Sequence, residues 1–385
     1  MSKRGKLILL GLFIFVFACV FSTNVYFSWA DDESMSVPED QDEEITEEVE
    51  AQVLTVAPKT QDKRWDMSFG VETGYDDNVF KYANDDQNEF DAGTNPDKFA
   101  NVDSIDDMIT RLFLKLSLKN NFNEDTKTTL SLKARGNIYG RNSVKNYESY
   151  QAEVAHEFNK NFLSLTYLNV PDFFLRNLYD RDITSGNRYR KTKFERDKIS
   201  LKYRRKVNND LMWWIIYGYE EYDYNGDFKE YNNHANEVNL SLLYRLNPKL
   251  RAKLYYIFKR CEANAYDDEP NADFDISHRQ HSPGIQFIFQ PVDKWQFLLR
   301  YAYTLRDYTT DNSETIDPFH SGRENKIHNI RLKATRKFQN NWELFCQYEY
   351  ETKDAKLTVD DATMADATLL GYNKNEVTIG TEYSF

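Results

Sequence analysis

Lysine and arginine recur at even spacings through the middle of this 385-residue chain, and they are the side chains with the plainest chemical consequence. They are Arg111 and Lys115, Lys133 and Arg135, Lys198, Lys202 and Arg204, Arg245, Arg251 and Lys253, Arg300, Arg331 and Lys333. Side chains of an extended segment alternate between two faces, so an even spacing gathers these cations on one face. A wall of that kind in low-dielectric surroundings concentrates positive potential and draws anions without breaking bonds. Acids of the same parity are fewer: Glu72, Glu153, Glu237, Glu343, Glu376 and Glu382. Two arrangements fit the pattern, an anion-favouring bore or a ladder of Lys and Arg paired with Glu across a narrow interior.

Bond-breaking chemistry has little support. The chain carries no Gly-x-Ser-x-Gly elbow, no His-Glu-x-x-His helix, no phosphate-binding glycine loop and no cysteine pair at zinc spacing. His278 and His281 read as exposed loop residues, two ligands short of a metal site. His234, His320 and His328 are candidates for a catalytic rim without a recognisable partner. The acidic groups Asp76-Asp77-Asn78 and Asp85-Asp86 lack the alternating ligands of an EF-hand loop and read as solvated. The expectation is a non-enzyme with no metal and no cofactor.

The elements that would position the basic wall are strands. Val238, Leu240, Leu242, Tyr244 and Leu246 share one face while Glu237, Asn239, Ser241 and Arg245 share the other. The same sorting sets Leu112, Leu114, Leu116 and Leu118 against Arg111, Lys115 and Lys119. It sets Ile199, Leu201 and Tyr203 against Lys198, Lys202, Arg204 and Lys206. Phe297, Leu299, Tyr301 and Tyr303 oppose Arg300 and Arg306, and Ile330, Leu332 and Ala334 oppose Arg331 and Lys333. With the apolar face toward lipid, the opposite register would put each cation against the bilayer middle at about 2–4 kcal/mol, so the faces are fixed.

From Trp65 onward one unit repeats: alternating segment, short polar turn, alternating segment, longer polar loop. Short turns fall at 120–125, 159–160, 208–210, 247–249, 291–293 and 339–341, rich in Asn, Asp and Pro, which tolerate turn dihedrals. Longer connections fall near 77–104, 141–146, 169–192, 223–234, 262–279, 308–325 and 353–373. Aromatics flank both kinds. Trp65, Phe122, Phe158, Trp213, Trp295, Phe338, Trp342 and Phe385 sit beside the short turns, and Tyr75, Tyr222, Phe258, Tyr303 and Tyr350 toward the long loops, forming two interfacial girdles. The expected fold is all-β, a single transmembrane antiparallel up-and-down β-barrel of about 14 strands, with 12 to 16 compatible with the segment lengths. A bore of that size lies between the filled interior of about 8 strands and the aqueous channel of about 16 to 18.

Composition agrees. Net charge is −13, aromatics make up 15% of the chain, and the mean hydropathy of −0.73 is far too low for a helical membrane protein. Nucleic acid is not an expected partner at that charge. Residues 1–30 read as a secretory signal peptide: Lys3, Arg4 and Lys6 precede an apolar run from Leu7 to Phe21, and Ser28-Trp29-Ala30 ends it. A lipobox around Cys19 is discounted because apolar residues continue beyond it. Residues 31–63 are acidic and poor in aromatics, an expected disordered periplasmic linker, and 64–385 form the barrel. Beyond the leader only Cys261 and Cys346 remain, on opposite predicted faces, so no disulfide is expected between them.

The final strand ends Val377, Ile379, Tyr383 and Phe385 on one parity, an alternation closed by a terminal aromatic. Substrates of the outer-membrane barrel assembly machinery resemble it, so these four residues are the expected assembly signal. The opening segment Phe69-Gly70-Val71-Glu72-Thr73-Gly74-Tyr75-Asp76-Asp77-Asn78-Val79-Phe80 resembles the first strand of a broad family of bacterial outer-membrane β-barrel proteins, some of which accompany exopolysaccharide synthesis and export genes. The chain departs from the related surface-lipoprotein translocators in lacking the helical repeats that precede their barrel. The resemblance therefore implies passage of polysaccharide or solute across the outer membrane of a Gram-negative bacterium, and the basic face adds the expectation that the cargo is an anionic polysaccharide or small anions. The rival expectation is a non-conducting structural or adhesive barrel working through its outer loops.

Overall fold

The computed structural model describes residues 64–123, 126–180, 183, 185–263, 275–310, 313, 317, 320–338, 341–356 and 371–385. The expected leader and linker lie outside these residues. So do the acidic loop cluster Asp267-Asp268-Glu269 and most of 311–317.

Fourteen antiparallel strands close into one barrel. They are β1 (Trp65–Asp76), β2 (Asp107–Asn123), β3 (Thr126–Tyr139), β4 (Tyr147–Phe158), β5 (Asn161–Tyr179), β6 (Tyr189–Lys206) and β7 (Leu211–Tyr224). The second half comprises β8 (Asn233–Asn247), β9 (Leu250–Ala263), β10 (His278–Val292), β11 (Trp295–Tyr308), β12 (Glu324–Lys337), β13 (Trp342–Lys356) and β14 (Tyr372–Ser384). Each strand pairs with its sequence neighbours, and β1 pairs with β14 from Ser68↔Ser384 to Asp76↔Glu376. Closure leaves no open edge, the condition for a sheet in hydrocarbon, where an unpaired backbone group costs several kcal/mol.

The outer surface carries the apolar parity. Leu112, Leu114, Leu116, Leu118, Leu201, Leu240, Leu242, Leu299 and Leu332 are all exposed, as are Val377 and Ile379 of β14. A continuous exposed band of Leu, Ile, Phe and Tyr would aggregate in water and is the surface a bilayer solvates. No described helix is long and apolar enough to cross a membrane, so the crossing is made by strands.

The inward parity is less uniformly polar than the sequence suggests. Met212, Trp214, Ile216, Leu243, Ile288 and Leu298 form an apolar cluster inside the wall of β7, β8, β10 and β11. A larger one gathers Phe80, Tyr82, Phe99, Phe173, Phe174, Phe194 and Tyr222 beneath the β1–β2 connection, which contains the short helix α1 (Asn84–Asp91). Tyr222, expected in the outer girdle, is thus an interior residue, only 2% exposed. Its parity is that of Trp214 and Ile216, and a run with apolar residues on both faces gives no contrast from which to choose.

The 169–192 connection also differs. β5 continues to Tyr179 and β6 starts at Tyr189, leaving only 180–188 as loop. The register shifts at Val170/Phe173 and again at Phe174/Arg176. Pro171 and the adjoining bulge interrupt the two-residue period there, and a reader of alternation stops where the strand itself bends and goes on.

Three inward glycines receive a neighbouring aromatic ring. Gly70 faces Phe113, Gly284 faces Tyr255 and Gly380 faces Phe345 across the strand pair, and a Cβ at any of the three would collide with the ring. Large side chains therefore lie flat along the wall.

Candidate functional site

All thirteen basic residues singled out by spacing occupy inward-parity positions. What the alternation does not convey is how closely they engage other side chains. Arg135 donates to Glu72 at 2.7 Å, Arg111 pairs with Glu376 at 2.7 Å, and Arg331 donates to Glu349 at 3.0 Å. Lys198 reaches Glu237 at 3.5 Å, and Arg204 reaches Glu157 at 3.3 Å while stacking over Phe162. Arg245 lies 3.9 Å from Asp210. Arg300 donates to the Tyr255 hydroxyl at 2.9 Å, the ring that Gly284 accommodates. Lys133 sits over Phe113, Lys202 over Trp214, Lys253 over both Trp214 and Tyr255, and Lys333 over Phe345. Lys115 and Arg251 are buried in the same wall. Most of these cations thus sit against an acid or an aromatic face, both of which stabilise a charge withdrawn from water.

The strongest interior knot is one the spacing argument missed. Glu220 on β7 accepts from Arg196 on β6 at 2.6 Å and contacts Lys259 on β9, and all three are at most 3% exposed. Lys259 is followed by Arg260, so parity alone could not say which of the two points inward. Glu220 is followed by Glu221 and presents the same ambiguity. Lys81, Lys145 and Arg323 are buried too, but they sit in connections, where no alternation exists to read.

The end of the barrel where its two chain ends and the short turns lie holds a small recess of about 20 Å³. Lys206, Asn208, Asp210, Met212, Arg245 and Arg251 line it, bringing two of the thirteen cations to one opening.

Of the acidic loop residues read as solvated, Asp85 is exposed, while the others are engaged by the protein. Asp76 is 2% exposed and meets Lys374 at 2.9 Å. Asn375 donates through its backbone N–H and side-chain amide to the two carboxylate oxygens of Asp77 at 2.7 and 2.8 Å. Asn78 bridges Tyr82 and the carbonyl of Asn373. Together they latch the β1–β14 seam at its outer end. Asp86 accepts from Lys98 within the β1–β2 connection.

The histidines do not converge. His278, expected in a loop, is inward and 4% exposed on β10, whereas His281 faces out and bonds the Tyr256 hydroxyl. Opposite faces exclude a shared ion, and no group of metal ligands occurs among the described residues. His234 meets Glu262, His328 meets Tyr301, and His320 is buried against Asp317, three separate places. Cys261 is buried and Cys346 exposed, both as free thiols.

A closed barrel with a lipid-compatible apolar band outside and an interior lined by paired charges defines the class: this is an outer-membrane β-barrel protein of a Gram-negative bacterium. No family model matches the chain, and no curated protein matches it. Solved structures similar to it include OmpT, an outer membrane protein of Vibrio cholerae, at 9% identity over 86% of this chain and 100% of that one, TM-score 0.43. A bacterial polysaccharide outer membrane secretin gives 9% identity over 83% and 98%, TM-score 0.42. A Pseudomonas aeruginosa FadL homologue gives 11% identity over 84% and 90%, TM-score 0.41.

Proposed function

We propose that this protein is a conduit for anions across the outer membrane, carrying small anionic solutes or an extended acidic polysaccharide. The observation that supports the reading is a charge imbalance. Among the described residues fifteen Lys and Arg are buried against eight Asp and Glu, within a chain of net charge −13. Burial of excess like charge is unfavourable for folding, and such departures are expected where a site has work to do. Positive potential inside low-dielectric walls raises the local concentration of anions and repels cations. The polysaccharide cargo rests on the resemblance of the first strand, and the terminal strand with Val377, Ile379, Tyr383 and Phe385 is read as the segment presented to the barrel assembly machinery.

The test is anion uptake into proteoliposomes by the wild type and by a triple variant, Arg204→Glu, Arg245→Glu and Arg331→Glu. The conduit reading expects uptake in the wild type and a shift toward cations in the variant. Equal, negligible fluxes in both would remove it.

A second reading has its own observation. Arg300, Ser282 and Gln286 are 0% exposed, and Arg–Glu pairs tie β12 to β13 and, across β2, β3 to β1, so the polar interior also serves as packing for a non-conducting structural or adhesive barrel. That reading expects no flux in either protein.

A further inference from the structure

Near the long-loop end, four cations gather that the thirteen do not include. Arg176 is on β5, Arg306 on β11 and Lys353 on β13, while Arg323 stands at the entry to β12, its carbonyl accepting the Tyr308 N–H at 3.0 Å. Lys353 is within electrostatic range of Arg323, Arg176 and Arg306, and of Lys81 beyond them. Arg306 is 0% exposed, and Arg323 and Lys353 are each 4% exposed.

None of the four forms an ion pair within 4.0 Å among the described residues. Arg306 uses Nε and Nη2 on one acceptor, Gln280 Oε1, and leaves Nη1 buried without a hydrogen-bond partner. Arg176 lies over the Tyr82 ring with Nε likewise unpartnered. Arg323 donates to Asn325 Oδ1 at 2.9 Å and lies over Tyr308, and the Asn325 amide nitrogen is left without an acceptor. Lys353 sits over Tyr372 at 4.8 Å. The acids nearby are engaged elsewhere. Asp317 accepts from His320 and from the Asp275 N–H, and Glu351 holds Lys81 and accepts from Tyr372 and Asn329. His278, also within range of Arg306, directs Nδ1 at the Ile276 carbonyl and adds no negative charge.

Three buried cations and the half-buried Arg176, with unpartnered donors on Arg306, Arg176 and Asn325 and no ion-pair partner among the described residues, form a cradle completed by an anion. We propose that Arg176, Arg306, Arg323 and Lys353, with the Asn325 amide, bind one oxyanion group of a small solute: a carboxylate, a phosphate or a sulfate. Guanidinium forks and an ammonium match all three groups, and the rings of Tyr82, Tyr308 and Tyr372 offer apolar faces to the remainder of the solute. Burial works in the same direction: desolvation, reinforced by Arg306 and Arg176 and opposed in part by Tyr308 and Asp317, lowers the pKa of the Arg323 guanidinium, a tension that a bound anion relieves. The site requires no flow through the barrel, so it stands or falls separately from the conduit reading.

Titration calorimetry and thermal unfolding of the detergent-solubilised full-length protein test it, with inorganic phosphate, sulfate and glucuronate each added against chloride at constant ionic strength. The expected result is saturable one-to-one binding of at least one oxyanion, with a rise in Tm that chloride does not give. Phosphate and sulfate responding without glucuronate would assign a tetrahedral anion, and the converse a carboxylate. Binding should weaken at least tenfold in Arg306→Gln and in Lys353→Met, and remain unchanged in Arg260→Gln, an exposed residue. The anion-free Lys353→Met protein should also unfold at a higher temperature than the anion-free wild type, because one of four repelling charges is gone. Should Arg306→Gln fail to fold, Lys353→Met carries the comparison. Absence of binding by all three anions, or equal binding in the wild type and Lys353→Met, overturns the proposal.

Discussion

Glu220 balances two interior cations at once, Arg196 and Lys259, while almost wholly withdrawn from water. Removing one partner of a buried pair strands the others, which costs about 3–5 kcal/mol. Glu220→Gln should therefore lower the unfolding free energy obtained from a urea titration by that amount, and an unchanged value would mean that water reaches the triad. Arg141 and Asp106 are a useful contrast, since the Arg141 side chain is 62% exposed. Arg141→Ala should change stability by less than about 1 kcal/mol in the same titration. The sequence revealed these two situations unequally. Basic residues whose neighbours were plainly apolar, such as Lys115 between Leu114 and Leu116, could be placed inward from parity. Glu220, Lys259 and Arg323 could not, because a like-charged neighbour or a loop removes the contrast on which parity depends.

At the scale of strands, the lipid-facing row is fixed by what each register would bury. Leu240 is 48% exposed on the outer face of β8, between Asn239 and Ser241, which are buried inside. Leu240→Arg should destabilise the barrel by about 2–4 kcal/mol if that position lies near the bilayer middle. Refolding yield across a urea series in lipid vesicles measures it, and a neutral result would place Leu240 outside the hydrocarbon. The interior offers a different kind of constraint. Gly284→Ala pushes a methyl group into the Tyr255 ring and so displaces the hydroxyl that accepts from Arg300. Folding stability should drop, and tyrosine fluorescence should report the altered ring. Strand number and the order of short and long connections were legible because turns and alternation are local signals. The β5 extension past Pro171 was hidden by a bulge. The latch of Asp77 to Asn375 was hidden by distance, since it joins residues almost 300 positions apart that only closure brings together.

For the whole molecule, the governing quantity is the sign of the interior field. The acid excess of the sequence does not follow the charges inward, where buried Lys and Arg outnumber buried Asp and Glu. That separation was visible in the sequence as parity, and pairing with Glu as one of two arrangements, but which cations Glu72, Glu220, Glu349 and Glu376 meet was not, because ion pairing depends on cross-strand register. Whether the remaining positive potential acts on a moving ion is what the account turns on. The most direct measurement is the reversal potential of purified protein in a planar bilayer under a tenfold potassium chloride gradient. The account predicts discrete conductance steps and a reversal potential displaced toward the chloride equilibrium value. A silent bilayer containing folded protein, or displacement toward the potassium value, would contradict it.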